Sequence, residues 1–189
     1  PALFTPQAKR QFGMQIGKEK VYALGDERMI EAVTSSPATL EGARASAVFL
    51  NETHHWLAAN DGHEMSAVIA RNAAKSPDGA ARTLRITNAY EPGRDSVAER
   101  DRDAYEKMAA GQSLTSGLLY DSLEAPPEAP LTAEAAPLVV PPIRGDSVWL
   151  HPGRVVQEIL DTRNPPSQSR RFWYNQITAA EDAWTTPAQ

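Results

Sequence analysis

Strand and helix signals alternate along the first two thirds of this chain, which predicts an α/β fold with crossover helices packed on a sheet. Two apolar runs end abruptly in polar residues: Ala47-Val48-Phe49-Leu50-Asn51-Glu52 and Leu84-Arg85-Ile86-Thr87-Asn88. Two helix-opening patterns follow them, Asp61 with Glu64 and Ser96 with Glu99. Strands buried on both faces of a parallel sheet read as continuous apolar segments, and the first run has that form. Such a strand delivers its last residues to the sheet edge where α/β proteins bind ligands. Glu52 is thus a candidate for orienting or deprotonating a water. On the string alone it serves equally as the start of a solvated helix.

The remaining elements follow from local signals. Val21-Tyr22-Ala23-Leu24 and Met29 to Val33 read as short strands around a Gly25-Asp26 turn, and Ser35-Ser36-Pro37 breaks the chain. The residue before a proline is pushed out of the α region. Asp61 is the expected N-cap of a helix that carries Met65, Val68, Ile69 and Asn72 at helical spacing and ends at Ser76-Pro77-Asp78-Gly79. Glu91-Pro92-Gly93 is a turn. The helix opened by Ser96 places Val97, Ala104, Tyr105 and Met108 on one stripe, with Arg100 to Asp103, Glu106 and Lys107 opposite, and Gly111 as its stop. Gly117 to Leu123 reads as another buried strand. Six prolines between Ala125 and Ile143 predict an extended linker. Beyond it, Pro152 suits a first helical position, with Val155, Val156, Ile159 and Leu160 as the apolar stripe and Pro165-Pro166 as the stop. Thr178 and Glu181 form a third capping box before Trp184.

The chain has 189 residues, 23% of them charged and 41% hydrophobic, a composition suited to a globular protein. There is no cysteine, so disulfides and thiolate metal sites are excluded. A formal net charge of −5 gives no general support for nucleic-acid contact, which would need a local patch or residues outside this chain. No apolar run reaches membrane-spanning length. The N-terminus lacks both a signal-peptide pattern and a starting Met, which points to processing, an engineered boundary or a fragment.

Asn88, an amide that both donates and accepts, ends a strand 36 residues after Glu52. Neighbouring strands of additional-strand nucleotide hydrolases deliver a catalytic carboxylate and a polar sensor to one edge. Taken alone, Asn88 reads as the cap of the turn before Pro92. His54, His55, Asp61, His63 and Glu64 offer metal-ligand chemistry. However, adjacent histidines diverge by about 100° on a helix, and there is no H-E-x-x-H, so packing and helix-terminal roles are preferred. The cluster Arg163, Arg170, Arg171, Phe172, Trp173 and Tyr174 suits either phosphates and stacked bases or a packing surface with arginines on rings. The second is preferred, because Glu181 and Asp182 offset the charge.

Several segments resemble the large terminase subunit of tailed phages, most closely those of actinobacterial phages. Ala47 to Trp56 resembles the Walker B region. Ile86-Thr87-Asn88-Ala89-Tyr90-Glu91-Pro92-Gly93 with Asp95-Ser96 is similar to the coupling motif, and Leu118 to Ala125 to the strand that follows it. Arg170 to Gln176 and Glu181 to Trp184 resemble the segment leading toward the nuclease domain. The matches are collinear from about Gly25 to the end. The resemblance implies part of an additional-strand P-loop ATPase sheet that uses ATP and Mg2+ to drive duplex DNA into a capsid. Glu52 would orient the attacking water, Thr87 and Asn88 would couple hydrolysis to movement, and Arg44 would act across subunits as an arginine finger. Without the resemblance, Arg44 reads as a solvated loop residue. The implied partners are duplex DNA, the portal protein, the small terminase subunit and further copies in a ring, with no membrane, in the host cytoplasm.

Two departures qualify this. Asn51 stands where many relatives carry the Walker B Asp, so any magnesium held here through water would be held weakly. The nearest candidate for a phosphate loop, Gly13-Met14-Gln15-Ile16-Gly17-Lys18-Glu19, is one residue short and places a carboxylate where a hydroxyl belongs. It is rejected as a Walker A motif. The expected organisation is therefore residues 1–124 as the second half of an ATPase domain, 125–145 as a Pro-rich linker, and 146–189 as a small helical subdomain leading to a nuclease domain outside this chain. This chain alone is expected to be inactive. The rivals are a helicase-like P-loop motor and a catalytically silent protein-interaction domain descended from such an ATPase.

Overall fold

A computed structural model describes residues 4–25, 27–33, 36–113 and 117–179. It divides into two compact units, 1–36 and 37–189. The predicted turn residue Asp26, the break at Ser35, and Glu181, Asp182 and Trp184 lie outside the described residues, so the third capping box is not described.

In the first unit, Thr5 caps helix α1 (Pro6–Gln11) by accepting from Ala8 N at 3.2 Å. Strands β1 (Gln15–Ile16), β2 (Lys20–Ala23) and β3 (Arg28–Glu31) then form an antiparallel meander in which Val21 pairs with Ile16 and Ile30. The two strands predicted here are present. The rejected phosphate-loop candidate runs through β1 and its turn into β2, with Gly17 N donating to Lys20 O. That is a hairpin, not a loop opening a helix.

The second unit is mixed α/β. Helix α2 (Pro37–Leu40) leads into β4 (Ala47–Asn51), and helix α3 (Gly62–Ala74) crosses to β5 (Arg82–Ile86), which pairs with β4 in parallel. Phe49 pairs with Leu84 and Asn51 with Ile86. Leu50, Met65 and Ile69 form a small core with Val48, Leu40 and Trp56 packed on it. The expected strand buried on both faces is not found: Phe49 is 69% exposed, and Leu84 and Ile86 about half exposed, all on the face opposite α3. Only one layer covers this sheet among the described residues.

Helix α3 starts differently from its prediction. Asp61 adopts a left-handed conformation and makes no capping bond. Gly62 instead sits where a Cβ would lie 2.5 Å from the Trp56 Cα, and its N–H donates to Leu57 O at 2.8 Å. The Ser96 cap does form, but Glu99 reaches back to the preceding turn and not to Ser96 N. Ser96 Oγ accepts from Glu99 N, and the Glu99 carboxylate accepts from Gly93 N and Asp95 N, opening helix α4 (Val97–Ala109). Its charged face is not all solvated: Asp101 pairs with Arg85, and Arg102 with Glu124 at 2.8 Å, while Ala104 is exposed.

The larger core lies in the C-terminal part. Helices α5 (Ala136–Arg144), α6 (Pro152–Leu160) and α7 (Pro166–Trp173) surround Ala125, Ala129, Ala136, Val140, Val155, Ile159 and Tyr174. The extended-linker reading of 125–145 is therefore corrected. Pro137 takes an N-terminal position where no donor is needed, and Pro141 and Pro142 are carried inside α5 because Ala136 and Val140 are anchored in the core. Pro165-Pro166 does not simply stop α6 but opens α7, a helix the sequence reading did not include. Gly117 to Leu123 forms no strand and pairs with none among the described residues, and Leu119 is 91% exposed, so the buried-strand reading is also corrected. Among the described residues no helix is long and apolar enough to cross a membrane.

Candidate functional site

Parallel pairing brings the carboxyl ends of β4 and β5 to the same edge. Glu52 N donates to Ile86 O at 2.8 Å, which continues the ladder one step past Asn51. The chain then turns sharply. Glu52 has φ 57° and ψ 45°, a left-handed conformation that costs a residue with a side chain about 1–2 kcal/mol. Among the described residues, six other than glycine have positive φ, and four of them are Asp or Asn, which tolerate this region. Glu52 and Leu24 do not share that tolerance. Strain kept at the end of a strand is a mark of functional geometry.

The strain aims a one-turn 3-10 segment, Thr53–His55, back over the end of β5. Thr87 Oγ1 accepts from His54 N at 3.0 Å, lies 3.0 Å from His54 Nδ1, and donates to Asn88 O at 2.9 Å. With the hydroxyl proton on Asn88 O, the short contact to Nδ1 requires Nδ1 to carry the imidazole proton. Glu52 Oε2 lies 3.5 Å from the same Nδ1. Glu52, His54 and Thr87 are thus one polar group spanning both strand ends. Sequence reading paired Glu52 with Thr87 and Asn88; it did not anticipate His54 as the link between them.

His54 is buried, and its Nε2 has no partner among the described residues. Burial first, then His55 and Arg171 nearby, hold its pKa down at about 4 against 6.5. The neutral ring is what the Thr87 geometry needs. Because the folded value lies below the unfolded one, the unfolded chain takes up a proton that the folded chain refuses between those values. Stability from a neutral His54 is fully present above about pH 6.5 and lost as pH falls toward 4. The gap corresponds to about 3 kcal/mol. Urea unfolding at pH 7 and pH 4 should show the wild type losing about that much more than His54→Leu. Parallel profiles would refute the neutral buried imidazole.

Glu52, His54 and His55 bring potential ligand atoms within 4.8 Å of one another. The two rings do not diverge as on an α-helix; their centroids are 3.9 Å apart on the tighter turn. Even so, Nδ1 is committed to Thr87 and Nε2 is buried, so His54 is not free to ligate. His63 is engaged with Asp95 O at 2.6 Å. Asn51 is exposed, and its carbonyl accepts from Trp56 Nε1 at 3.1 Å.

Arg44 is exposed in the stretch before β4. Seven residues separate it from Glu52, and the five of them in β4 alone span about 16 Å at 3.3 Å per residue. The two are therefore not brought together within one chain.

Helix α7 closes one side of the site. Arg171 Nε donates to Ala89 O at 3.3 Å, its Nη1 lies 3.7 Å from Glu91, and the Phe172 ring meets His54 edge-on at 6.0 Å. Arg170 is spent on Ala129 O and Gln176, and Arg163 on Asp161. Arg170 and Arg171 thus serve packing, with Arg171 over the Phe172 ring, whereas Arg163 is exposed and, among the described residues, bonds only to Asp161 beside it. The signal missed was the helix itself, hidden behind Pro165-Pro166.

ATP and Mg2+ are not accommodated by these residues alone. A carboxylate and polar strand ends are present, but no Gly-rich loop at a helix start is found among the described residues, and the one candidate is a hairpin.

Comparison with known proteins finds phage relatives. The chain is 38% identical to the Gene 13 protein of Mycobacterium phage L5 and 35% identical to the Gene 13 protein of Mycobacterium phage D29. In each case all of this chain is covered and 35% of the relative. The chain thus spans about a third of the length of the curated relatives it matches. No family model matches, and no solved structure matches.

Proposed function

We propose that this chain is part of a viral DNA-packaging ATPase of the terminase large-subunit kind, with an additional-strand P-loop sheet completed by polypeptide outside these residues. The observation that carries the reading is the hydrogen bond from His54 N to Thr87 Oγ1, which joins the Glu52 turn to the end of the neighbouring parallel strand. Two phage proteins as relatives agree with it. In this reading Glu52 activates water, Thr87 and Asn88 sense the nucleotide, Asn51 contributes weakly to magnesium through water, and Arg44 serves a neighbouring subunit. The packaged duplex, the portal, the small terminase subunit and further copies are the partners, in the cytoplasm of the infected bacterium.

The exposed Asn51, which cannot supply the usual magnesium-directed charge, favours a second reading as a catalytically silent interaction domain. Binding of a non-hydrolysable ATP analogue to the longer polypeptide separates the two. The motor reading predicts magnesium-dependent binding, and the silent reading predicts none. Residues 1–189 alone should show no magnesium-dependent ATP hydrolysis above buffer. Robust turnover by this chain alone, abolished by Glu52→Gln, would refute the reading that its nucleotide site is incomplete.

A further inference from the structure

We infer that His54 is a positioning residue for Glu52: its Nδ1–H donates either to Thr87 Oγ1 or to the Glu52 carboxylate, and Glu52 is free to act on water only while Thr87 holds that proton. The role of Glu52 as a base rests on the motor reading; the exchange of acceptors does not.

The hydroxyl of Thr87 sets the first arrangement. A threonine hydroxyl offers one donor and two acceptor sites. Thr87 Oγ1 uses all three. It accepts from His54 N and from His54 Nδ1, each at 3.0 Å, and donates to Asn88 O at 2.9 Å. A hydroxyl so committed has nothing left for a phosphate oxygen or a water. Thr87 therefore responds to a ligand only by giving up bonds it already makes. Turning its side chain away leaves the Nδ1 proton without an acceptor.

Glu52 provides the second arrangement. Its Oε2 lies 3.5 Å from the same Nδ1, a few tenths of an ångström beyond hydrogen-bond range. His54 is buried, and a buried donor left unpaired is costly. The ring is not free to seek another partner. It lies against His55 with centroids 3.9 Å apart and meets the Phe172 ring edge-on at 6.0 Å. The Glu52 side chain is 45% exposed and can close the gap. The acceptor thus comes to the ring.

The two arrangements have opposite consequences for Glu52. A carboxylate that accepts a hydrogen bond keeps its charge more firmly and takes a proton less readily. With the Nδ1–H on Thr87, the carboxylate is available to water. With the Nδ1–H on Glu52, it is turned inward and held. One hydrogen bond passed between two strand ends therefore sets whether the base can act. His54 Nε2 takes no part, since it has no partner among the described residues.

Rescue separates this role from a merely structural one. In the longer polypeptide, Thr87→Val keeps the side-chain shape and removes the acceptor, so Glu52 is held. kcat should fall about 10- to 100-fold, the worth of one hydrogen bond to a charged group, with KM unchanged. Adding His54→Phe keeps a ring in the pocket and removes the donor, and most of the lost kcat should return. A double variant no faster than Thr87→Val overturns the proposal, as does a Thr87→Val variant as fast as the wild type. A wild type that hydrolyses no ATP, or one matched by Glu52→Gln, overturns the motor reading and, with it, the control of a base. The exchange of acceptors is read separately, by NMR of the 189-residue chain carrying isotope-labelled histidine. The His54 Nδ1 proton should shift in Thr87→Val, and adding Glu52→Gln should reverse that shift. No shift in Thr87→Val, or a shift that Glu52→Gln leaves in place, overturns the proposal whatever the longer polypeptide hydrolyses.

Discussion

On the proposed motor reading, replacing Glu52 by Gln should lower ATP hydrolysis by the longer polypeptide about 10²–10⁴-fold, the range for loss of a positioned general base. Gln keeps the volume of the side chain, and the left-handed turn at this position is imposed by the surrounding ladder and 3-10 bonds. It cannot take a proton from water. Nucleotide binding should therefore be retained while phosphate release is lost. Parallel measurement of analogue binding and steady-state phosphate release checks this. Wild-type turnover by Glu52→Gln would remove Glu52 from the chemistry and leave its strained backbone without a functional reason.

Tyr174→Ala should destabilise the chain by about 3–5 kcal/mol, the range for truncating a buried aromatic. Tyr174 is fully buried among α5, α6 and α7, and its hydroxyl donates to Pro130 O at 3.0 Å. Truncation opens a cavity and orphans that carbonyl. Tyr174→Phe keeps the ring and should lose only about 0.5–1.5 kcal/mol, the worth of one hydrogen bond. Urea unfolding of both variants reads the difference. A loss below about 1 kcal/mol for Tyr174→Ala would contradict the placement of this residue at the centre of the core.

The parts of the fold legible in the sequence were those set by local periodicity. The two strands ending at Asn51 and Ile86, the helix between them, and the Ser96 cap all depend on neighbours within a few residues. The errors came where tertiary packing overrode local signals. Pro141 and Pro142 argue against a helix, yet Ala136 and Val140 bury enough apolar surface to hold α5 together. Gly117 to Leu123 has the residues of a strand, but a strand exists only with a partner, and none lies beside it among the described residues. Asp61 has the right side chain for a cap, but the close approach of Gly62 to Trp56 fixes the helix start instead. In the candidate site, Glu52 and Thr87 were visible as polar residues ending apolar runs. His54 was not, because its role depends on a strained turn that no spacing rule encodes. Arg44 lies before the far end of β4, away from Glu52, and nothing among the described residues joins the two.

The central claim is that the turn after Glu52 and the end of β5 form one bonded unit. A double-mutant cycle with His54→Ala and Thr87→Val, read by urea unfolding of the 189-residue chain at pH 7, measures this directly. The geometry predicts a coupling of about 1 kcal/mol or more between the two positions, because residues sharing hydrogen bonds are not additive. Effects that add within about 0.3 kcal/mol would contradict it, and the shared edge proposed for water activation and sensing would lose its structural basis.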